Sequence, residues 1–400
     1  MSDHERDNNA NENEEDMGEL VEVISLDEEG EGAELAQDLA DFEMNDEDEA
    51  SGGELVVDDA ILVFEKHKGS VFSVDVNPSS TYVVTGGEDD MAYVWNIENS
   101  EIILECNGFK DSVCNSSFNH DGQLLAAADM SGLVQVYKMT DKSIAWSGEC
   151  SDIEWLKWHH SGNVIAVGTT DGSIWLWKVP SGDCKILSNA TTSGCGTFLP
   201  DGKRLVSGYS DGSVKIWNLK DAVVQFNIPS ASGAPTSNIA CHPNKPLVIA
   251  GFENATAVLI NAQNGKVIAN FDCSSNQKGE DENKEEVVEG LSFCTSQNLA
   301  VTSTLAGLIH IWDLSSLNIR HIIQVGVGIV QLQFIKDQPL FFACGLDGTV
   351  RQYDVRDGNL ITEFNGHQSA ILDFKLCNNS THCLTASDDG TARVFSLNKN

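Results

Sequence analysis

His67, Thr85, Asp89 and Trp95 are the residues whose types and spacing first suggest chemistry, because an imidazole near a carboxylate can act as an acid–base pair. The spacing recurs near the C-terminus in a second set, His367, Thr385 and Asp389. A buried Trp N–H and a buried carboxylate must each find a hydrogen-bond partner, and a network of these residues would satisfy both while fixing a turn. The sets are therefore interpreted as structural.

Catalytic motifs are missing from the rest of the sequence. It contains no nucleophile elbow, no phosphate-binding loop, no recognisable carboxylate pair and no spacing typical of metal ligands. The adjacent His159 and His160 are expected to point to opposite sides of a strand end, which does not favour a metal site. We therefore expect a protein that is not an enzyme and that needs neither a cofactor nor a metal.

Sequence repeats organise the chain from about residue 60 onward. One unit reads TYVVTGGEDDMAYVWNI and another reads KRLVSGYSDGSVKIWNL. Each unit has an apolar strand, a Gly-containing turn, a second alternating strand and a closing apolar residue. The closing residues are Trp95, Tyr137, Trp177, Trp217, Ile260, Trp312, Tyr353 and Phe395, separated by 42, 40, 40, 43, 52, 41 and 42 residues. This period is typical of the four-stranded blades of a β-propeller.

The turns suggest WD-repeat blades, in which His, Ser or Thr, Asp and Trp form a buried network. Outside the first and last repeats the set is partial: Asp171 is paired with Trp177, and Ser207 and Asp211 with Trp217. Other turns have Ser131, Asn254 and Ala306 where the Asp is expected.

The eighth repeat ends soon after Phe395 and lacks its outer strand, whereas residues 60–65 (AILVFE) form an unassigned strand before the first blade. Placing this strand on the edge of blade eight closes the ring and removes two exposed edges. We therefore predict an all-β, eight-bladed WD-repeat propeller over residues 60–400. The long interval reflects an insertion at 272–288, expected to be a mobile acidic flap.

Residues 1–59 carry 24 acidic residues and one basic residue, which predicts a disordered acidic tail. Residues 20–24 alternate like a strand, and Leu35, Leu39 and Phe42 have helical spacing. These pieces are either residual apolar content of a solvated tail or a docking peptide.

Charge and cysteine usage limit the partner classes. The net charge of −37 disfavours direct contact with nucleic acid or an anionic membrane surface, and it favours a basic protein or peptide. The eleven cysteines include no CxxC pair, and the sequence has neither a signal peptide nor a membrane-spanning stretch. We expect a cytoplasmic monomer, with nuclear or peripheral membrane locations as alternatives.

The four strands of a blade are called a to d, from the inner to the outer strand. Acidic residues are predicted to gather on one face of the ring, called the top face, where the turns between strands b and c meet the loops from strand d to strand a of the next blade. A basic peptide would lie across this face, with Trp155 stacking on an Arg. The predicted partner-binding residues are Glu88, Asp90, Asp111, Asp129, Asp152, Glu154, Trp155, Asp373 and Asp388. Asp347 and the flap acids would add to the same field.

Several segments resemble one WD-repeat family, that of the angio-associated migratory cell protein: VTGGEDDMAYVW, DIEWLKWH and LPDGKRLVSGYSDGSVKIW. Its fungal members are dedicated chaperones of a large-subunit ribosomal protein. The resemblance implies that the acidic top face captures the basic N-terminal segment of a nascent ribosomal protein during ribosome assembly.

Two other functions stay open. Animal members of this family are associated with cell migration and angiogenesis, which implies a signalling scaffold. The segment Tyr353-Asp354-Val355-Arg356 is similar to the box by which some propellers dock onto a ubiquitin-ligase adaptor.

Overall fold

The computed structural model describes residues 57–275 and 286–397. Most of the predicted disordered tail, including the two candidate docking pieces, and the centre of the predicted flap lie outside the described residues. The tail boundary at residue 59 is wrong by a few residues, because Asp58 pairs with Arg393, and Asp59 donates its N–H to the carbonyl of Asn365 at 2.8 Å. Both residues therefore belong to the folded ring.

Eight four-stranded antiparallel sheets form the described chain, which confirms the predicted eight-bladed propeller. Blades one to four contain, from the inner to the outer strand, β2 (Val71–Val76), β3 (Tyr82–Gly87), β4 (Ala92–Asn96), β5 (Ile102–Cys106); β6 (Val113–Phe118), β7 (Leu124–Asp129), β8 (Leu133–Lys138), β9 (Ile144–Glu149); β10 (Ile153–Trp158), β11 (Val164–Thr169), β12 (Ile174–Lys178), β13 (Asp183–Leu187); and β14 (Cys195–Phe198), β15 (Arg204–Gly208), β16 (Val214–Asn218), β17 (Val223–Ile228).

Blades five to eight follow the same order. They contain β18 (Thr236–Cys241), β19 (Leu247–Phe252), β20 (Thr256–Asn261), β21 (Lys266–Asp272); β22 (Val288–Phe293), β23 (Leu299–Thr304), β24 (Leu308–Asp313), β25 (Asn318–Gln324); β26 (Ile329–Phe334), β27 (Leu340–Gly345), β28 (Val350–Asp354), β29 (Leu360–Phe364); and β30 (Ile371–Leu376), β31 (His382–Ser387), β32 (Ala392–Ser396), with β1 (Leu62–Phe64) outermost.

The ring closes where β1 pairs with β32, with Leu62 opposite Val394 and Phe64 opposite Ala392. The ladder is shorter than the segment 60–65 that the sequence places there, because Ala60 packs into the core between blades seven and eight. Phe64 stacks on Trp95 of blade one at 4.8 Å, so the strand that completes blade eight also contacts the next blade. This seam joins two segments far apart in the sequence.

Apolar cores lie between successive blades, because one face of each sheet packs on its neighbour. On the inner strand β30, the buried Phe374 and Leu376 alternate with the partly exposed Asp373 and Lys375. Two channel side chains also bind the next blade: Asp75 accepts the N–H of Phe118 at 2.9 Å, and Gln333 accepts the N–H of Leu376 at 3.0 Å. The channel wall is therefore held by side-chain bonds across the blade boundaries.

No helix in the described part of the chain is long and apolar enough to cross a membrane. The eleven cysteines all lie in that part and are free thiols.

Candidate functional site

One end of the ring carries both the b–c turns and the d–a loops. In seven blades, the N–H of the residue just after strand b donates to the carbonyl of the residue just before strand a, and in blade four the equivalent bond joins Ser210 to Thr192. The eight pairs are Glu88–Ser70, Met130–Ser112, Thr170–Asp152, Ser210–Thr192, Glu253–Pro235, Leu305–Val287, Leu346–Gly328 and Asp388–Ala370. This end is the top face, and the carboxylates expected there are held on turns tied to the inner strands.

Blade one contains the full hydrogen-bond network. His67 donates from Nδ1 to Asp89 at 2.9 Å, since a carboxylate only accepts, and His67 Nε2 lies 2.9 Å from the Thr85 hydroxyl. Trp95 donates to the same hydroxyl at 3.4 Å. Burial alone would raise the pKa of Asp89, but the bonds from His67 and the N–H of Lys68 outweigh it and hold that pKa below its usual value. Both nitrogens of the His67 imidazole are therefore used in hydrogen bonds that hold the turn.

Blade eight repeats the network around His367, which bonds Asp389 at 2.8 Å and Thr385 at 2.6 Å. Phe395 takes the place of the Trp and is fully buried without a donor. The two blades with complete His–Thr–Asp sets are the two that flank the seam.

The partial networks differ from the prediction in blades three and four. Asp171 does not bond Trp177; it accepts from Thr169 and Ser151 at 2.7 Å, and these bonds lower its pKa to about 2. Trp177 instead stacks on Trp175. In blade four, Trp217 donates to Ser207 at 3.0 Å, whereas Asp211 accepts the N–H of Ser213 at 2.9 Å.

Asp129 was predicted to bind a partner, and the structure contradicts this. Its side chain is 0% exposed and accepts from the N–H groups of Lys110 and Leu133, each at 2.9 Å. The bond to Lys110 corresponds to the bond from Lys68 to Asp89 in blade one. Asp129 therefore accepts the turn hydrogen bond that Asp89 accepts in blade one, although it lies two residues earlier in its repeat. This explains why Ser131 can occupy the position that corresponds to Asp89.

Five predicted acids are exposed on the top face and form no ion pair with Lys or Arg among the described residues. We call them the rim acids: Glu88, Asp90, Asp111, Asp152 and Asp388. Glu88 accepts a hydrogen bond from the N–H of Ser70 at 3.0 Å, and Asp388 accepts one from the hydroxyl of Ser70 at 2.5 Å. Ser70 thus brings carboxylates of blades one and eight together across the seam.

The rim is interrupted at blade seven. Asp347 pairs with Arg351 at 2.6 Å, and the same guanidinium contacts Glu363 at 2.9 Å. This carboxylate, which the sequence assigned to the acidic field, is neutralised by its neighbour.

A ring of β-bulges surrounds the mouth of the channel. In seven blades the second residue of the inner strand is skipped in the ladder with strand b, and such bulges re-aim a side chain. We call these positions the bulge ring: Phe72, Cys114, Glu154, Ser237, Glu289, Val330 and Leu372. None of the seven is buried. Gly194 holds the equivalent position just before β14.

Two bulge-ring residues are carboxylates. Burial, and then the charge of Asp152, raise the pKa of Glu154. Burial, and then Glu253, raise the pKa of Glu289 to about 7. Glu289 was missed by sequence reasoning, although it follows the first residue of its inner strand just as Glu154 does. A cation arriving at the mouth would favour the charged forms of both carboxylates and lower their pKa values.

Trp155 is not available to stack on a ligand, so that prediction is wrong. Its ring is 6% exposed, packs between blades three and four, and donates from Nε1 to the carbonyl of Ser193 at 2.9 Å. Asp373 is also occupied, because it accepts the N–H of Val74 in blade one at 2.8 Å. This hydrogen bond joins blade eight to blade one across the seam, so Asp373 is not a free carboxylate of the mouth.

Below the mouth the channel charges balance. Lys375 pairs with Asp75 at 2.9 Å, and Asp373 and Lys157 lie in the same field. Burial and the charge of Lys375 lower the pKa of Lys157. A cavity of about 820 Å³, lined by Lys157 and Glu289 among others, opens here. Glu154, Glu289 and the rim acids are not balanced in this way, because none of them pairs with Lys or Arg among the described residues.

Other candidate positions carry no assembled chemistry. His159 and His160 stack on each other at 4.6 Å instead of pointing apart, and no group of three or more His, Cys, Asp or Glu suited to a metal occurs within 57–275 and 286–397. In the adaptor-like segment, Tyr353 is buried and Arg356 pairs with Asp354 at 2.5 Å.

The blades and their turns define a WD-repeat β-propeller. The family model for the WD domain, G-beta repeat, matches residues 59–96, 188–218 and 358–396. The chain is 40% identical over 351 residues to the human (Homo sapiens) angio-associated migratory cell protein, covering 86% of this chain and 81% of that protein. It belongs to the family of the angio-associated migratory cell protein.

Fungal proteins are similar over the same region. Ribosome assembly protein SQT1 of Saccharomyces cerevisiae is 28% identical over 394 residues, covering 88% of this chain and 90% of that protein. The crystal structure of the Saccharomyces cerevisiae Sqt1 aligns with a TM-score of 0.77 at 25% identity, covering 86% of this chain and 100% of that one. The Chaetomium thermophilum Sqt1 bound to the N-terminus of the ribosomal protein L10 aligns with a TM-score of 0.76 at 23% identity, covering 85% and 100%.

Proposed function

We propose that this propeller is an assembly chaperone that binds the basic N-terminal segment of a large-subunit ribosomal protein on its top face. The observation that carries the proposal is the placement of Glu154 and Glu289 at the channel mouth, inside a rim of unpaired carboxylates. The family membership and the ribosomal ligand of the Chaetomium relative support the choice of client.

The mechanism is electrostatic capture by a rigid surface. The rim acids attract an extended cationic segment, and the low-dielectric mouth strengthens its contacts with the two bulge-ring carboxylates. While it is held there, the segment cannot bind RNA or aggregate. Because the channel below is neutral, the segment lies across the mouth instead of threading through it. We place this capture in the cytoplasm.

The test is calorimetric binding of a synthetic peptide that matches the first twenty or so residues of the ribosomal protein from the same cell. Wild-type protein should bind with an affinity that falls as salt rises toward 0.15 M ionic strength. Glu289→Gln should weaken binding about tenfold, because a charge-assisted contact in a partly buried site contributes about 1.5 kcal/mol.

Glu101→Gln is the matched control, since this exposed glutamate lies beyond strand c, on the face opposite the top face. It should leave the affinity unchanged. Absence of binding by the wild-type protein at about 0.15 M ionic strength, or equal losses in both variants, would refute capture at the mouth.

A further inference from the structure

Three consecutive blades place apolar side chains in the bulge ring. Val330 of blade seven, Leu372 of blade eight and Phe72 of blade one follow one another around the mouth, and we call them the apolar arc. The remaining bulge positions are small or acidic. The mouth is therefore divided into an apolar side and an acidic side.

Two of the three arc residues lie outside the folding core. The residues just before Phe72 and Leu372 on their strands, Val71 and Ile371, are fully buried, whereas Phe72 and Leu372 are partly exposed. Within the part of the chain that the structure describes, these two side chains join none of the interblade apolar clusters, whereas Val330 is partly buried against the cluster between blades seven and eight. Apolar groups aimed at solvent by a bulge gain little for stability.

The apolar surface extends outward at blade seven. Leu346, the first turn residue of that blade, is 43% exposed and lies over Gly328. It occupies the position that Glu88 and Asp388 hold in blades one and eight. Because Asp347 is paired with Arg351, Leu346 presents an apolar side chain beside a carboxylate that is already in an ion pair. Rim acids lie beside the arc on blades eight and one, Glu289 lies beside it on blade six, and Glu154 lies across the mouth from it on blade three.

We propose that the captured segment contains an aromatic or branched aliphatic side chain that docks on the apolar arc, with Lys or Arg residues on either side of it reaching the rim acids and the bulge-ring acids. This inference rests on the proposed function and specifies the client more closely. Carboxylates alone attract any polycation, whereas a buried apolar anchor selects among basic segments. A segment with only cationic side chains would contact the acids of the mouth but would leave the apolar arc without a partner.

The experiment compares two synthetic peptides of about a dozen residues, long enough in extended form to cross the mouth. Both alternate Arg and Ser, and one carries a single central Leu that is Ser in the other. The wild-type protein should bind the Leu peptide about tenfold more tightly, since burying one aliphatic side chain contributes about that factor. In the double variant F72Q/L372Q the two peptides should bind equally.

Glu289→Gln is measured with both peptides and should weaken both by a similar factor while keeping their ratio. Equal binding of the two peptides to the wild-type protein would overturn the apolar anchor, yet leave capture of basic segments standing if Glu289→Gln still weakens both. Absence of binding by either peptide would overturn the proposed function itself. Should the double variant fail to fold, the wild-type comparison of the two peptides decides.

Discussion

Asp388 and Asp389 are adjacent in the sequence and should respond oppositely to the same change. Asp389 accepts four hydrogen bonds, from His367, Thr391 and the N–H of Gln368, whereas Asp388 is exposed and accepts only from Ser70. Replacing Asp389 by Asn removes charge-assisted bonds to a buried histidine, and we expect a loss of about 3 kcal/mol. Asp388→Asn should cost less than about 0.5 kcal/mol.

The assay is thermal unfolding followed by circular dichroism as a function of pH. At neutral pH, Asp389→Asn should lower Tm by roughly 5 °C, given the shallow dependence of Tm on free energy in a chain of this size. Burial would raise the pKa of Asp389, but the bonds from His367 and Thr391 hold it well below its usual value. Its stabilisation is therefore fully present above about pH 4 and is lost as pH falls toward the lowered folded-state pKa.

The Tm difference between wild type and Asp389→Asn should accordingly shrink in acid. A difference that stays constant down to about pH 2, or a loss as large in Asp388→Asn, would refute the assignment of the network to stability. Asp388→Asn should weaken peptide binding and Asp389→Asn should not, because only Asp388 is a rim acid.

Three further predictions follow from the seam, the turns and the mouth. Peptide affinity should rise between pH 6 and pH 8, because the fraction of ionised Glu289 increases about tenfold around its pKa of about 7; Glu289→Gln should remove most of this dependence in calorimetry. Deleting residues 57–64 should lower Tm sharply and promote aggregation measured by light scattering, because β32 then becomes an open edge; an unchanged Tm would contradict the seam. Asp129→Ala should cost about 2–3 kcal/mol in unfolding experiments, whereas Asp111→Ala should be nearly neutral.

The blade count was predictable because every blade ends strand c in a large buried residue at a nearly constant interval. Trp95, Trp217 and Trp312 fill equivalent places, and the same Trp N–H to Ser or Thr bond recurs in all three. The unassigned apolar segment before blade one was equally informative, since a strand without a partner must complete a sheet that lacks one.

Sequence reasoning failed where residues of one type have different surroundings. Asp129 and Asp111 are both acids near turns, but only the first turns inward to the amides of Lys110 and Leu133. Trp155 was placed on the correct strand, yet its packing depends on the glycines of neighbouring strands, Gly168 and Gly196, which leave room for the indole. Glu289 follows the long insertion, which obscured its equivalence to Glu154.

The pairing of Leu62 with Val394 has a consequence for synthesis on the ribosome. The outer strand of blade eight is made before the other strands of the ring and its partner β32 after them, so local blades can form early but the circle cannot be completed until β32 has left the exit tunnel. Until then, Asp388 of blade eight is not brought to Ser70 of blade one, and the ring around the channel has a gap. Under the proposed function, a half-made copy of this protein would therefore be unable to hold a client.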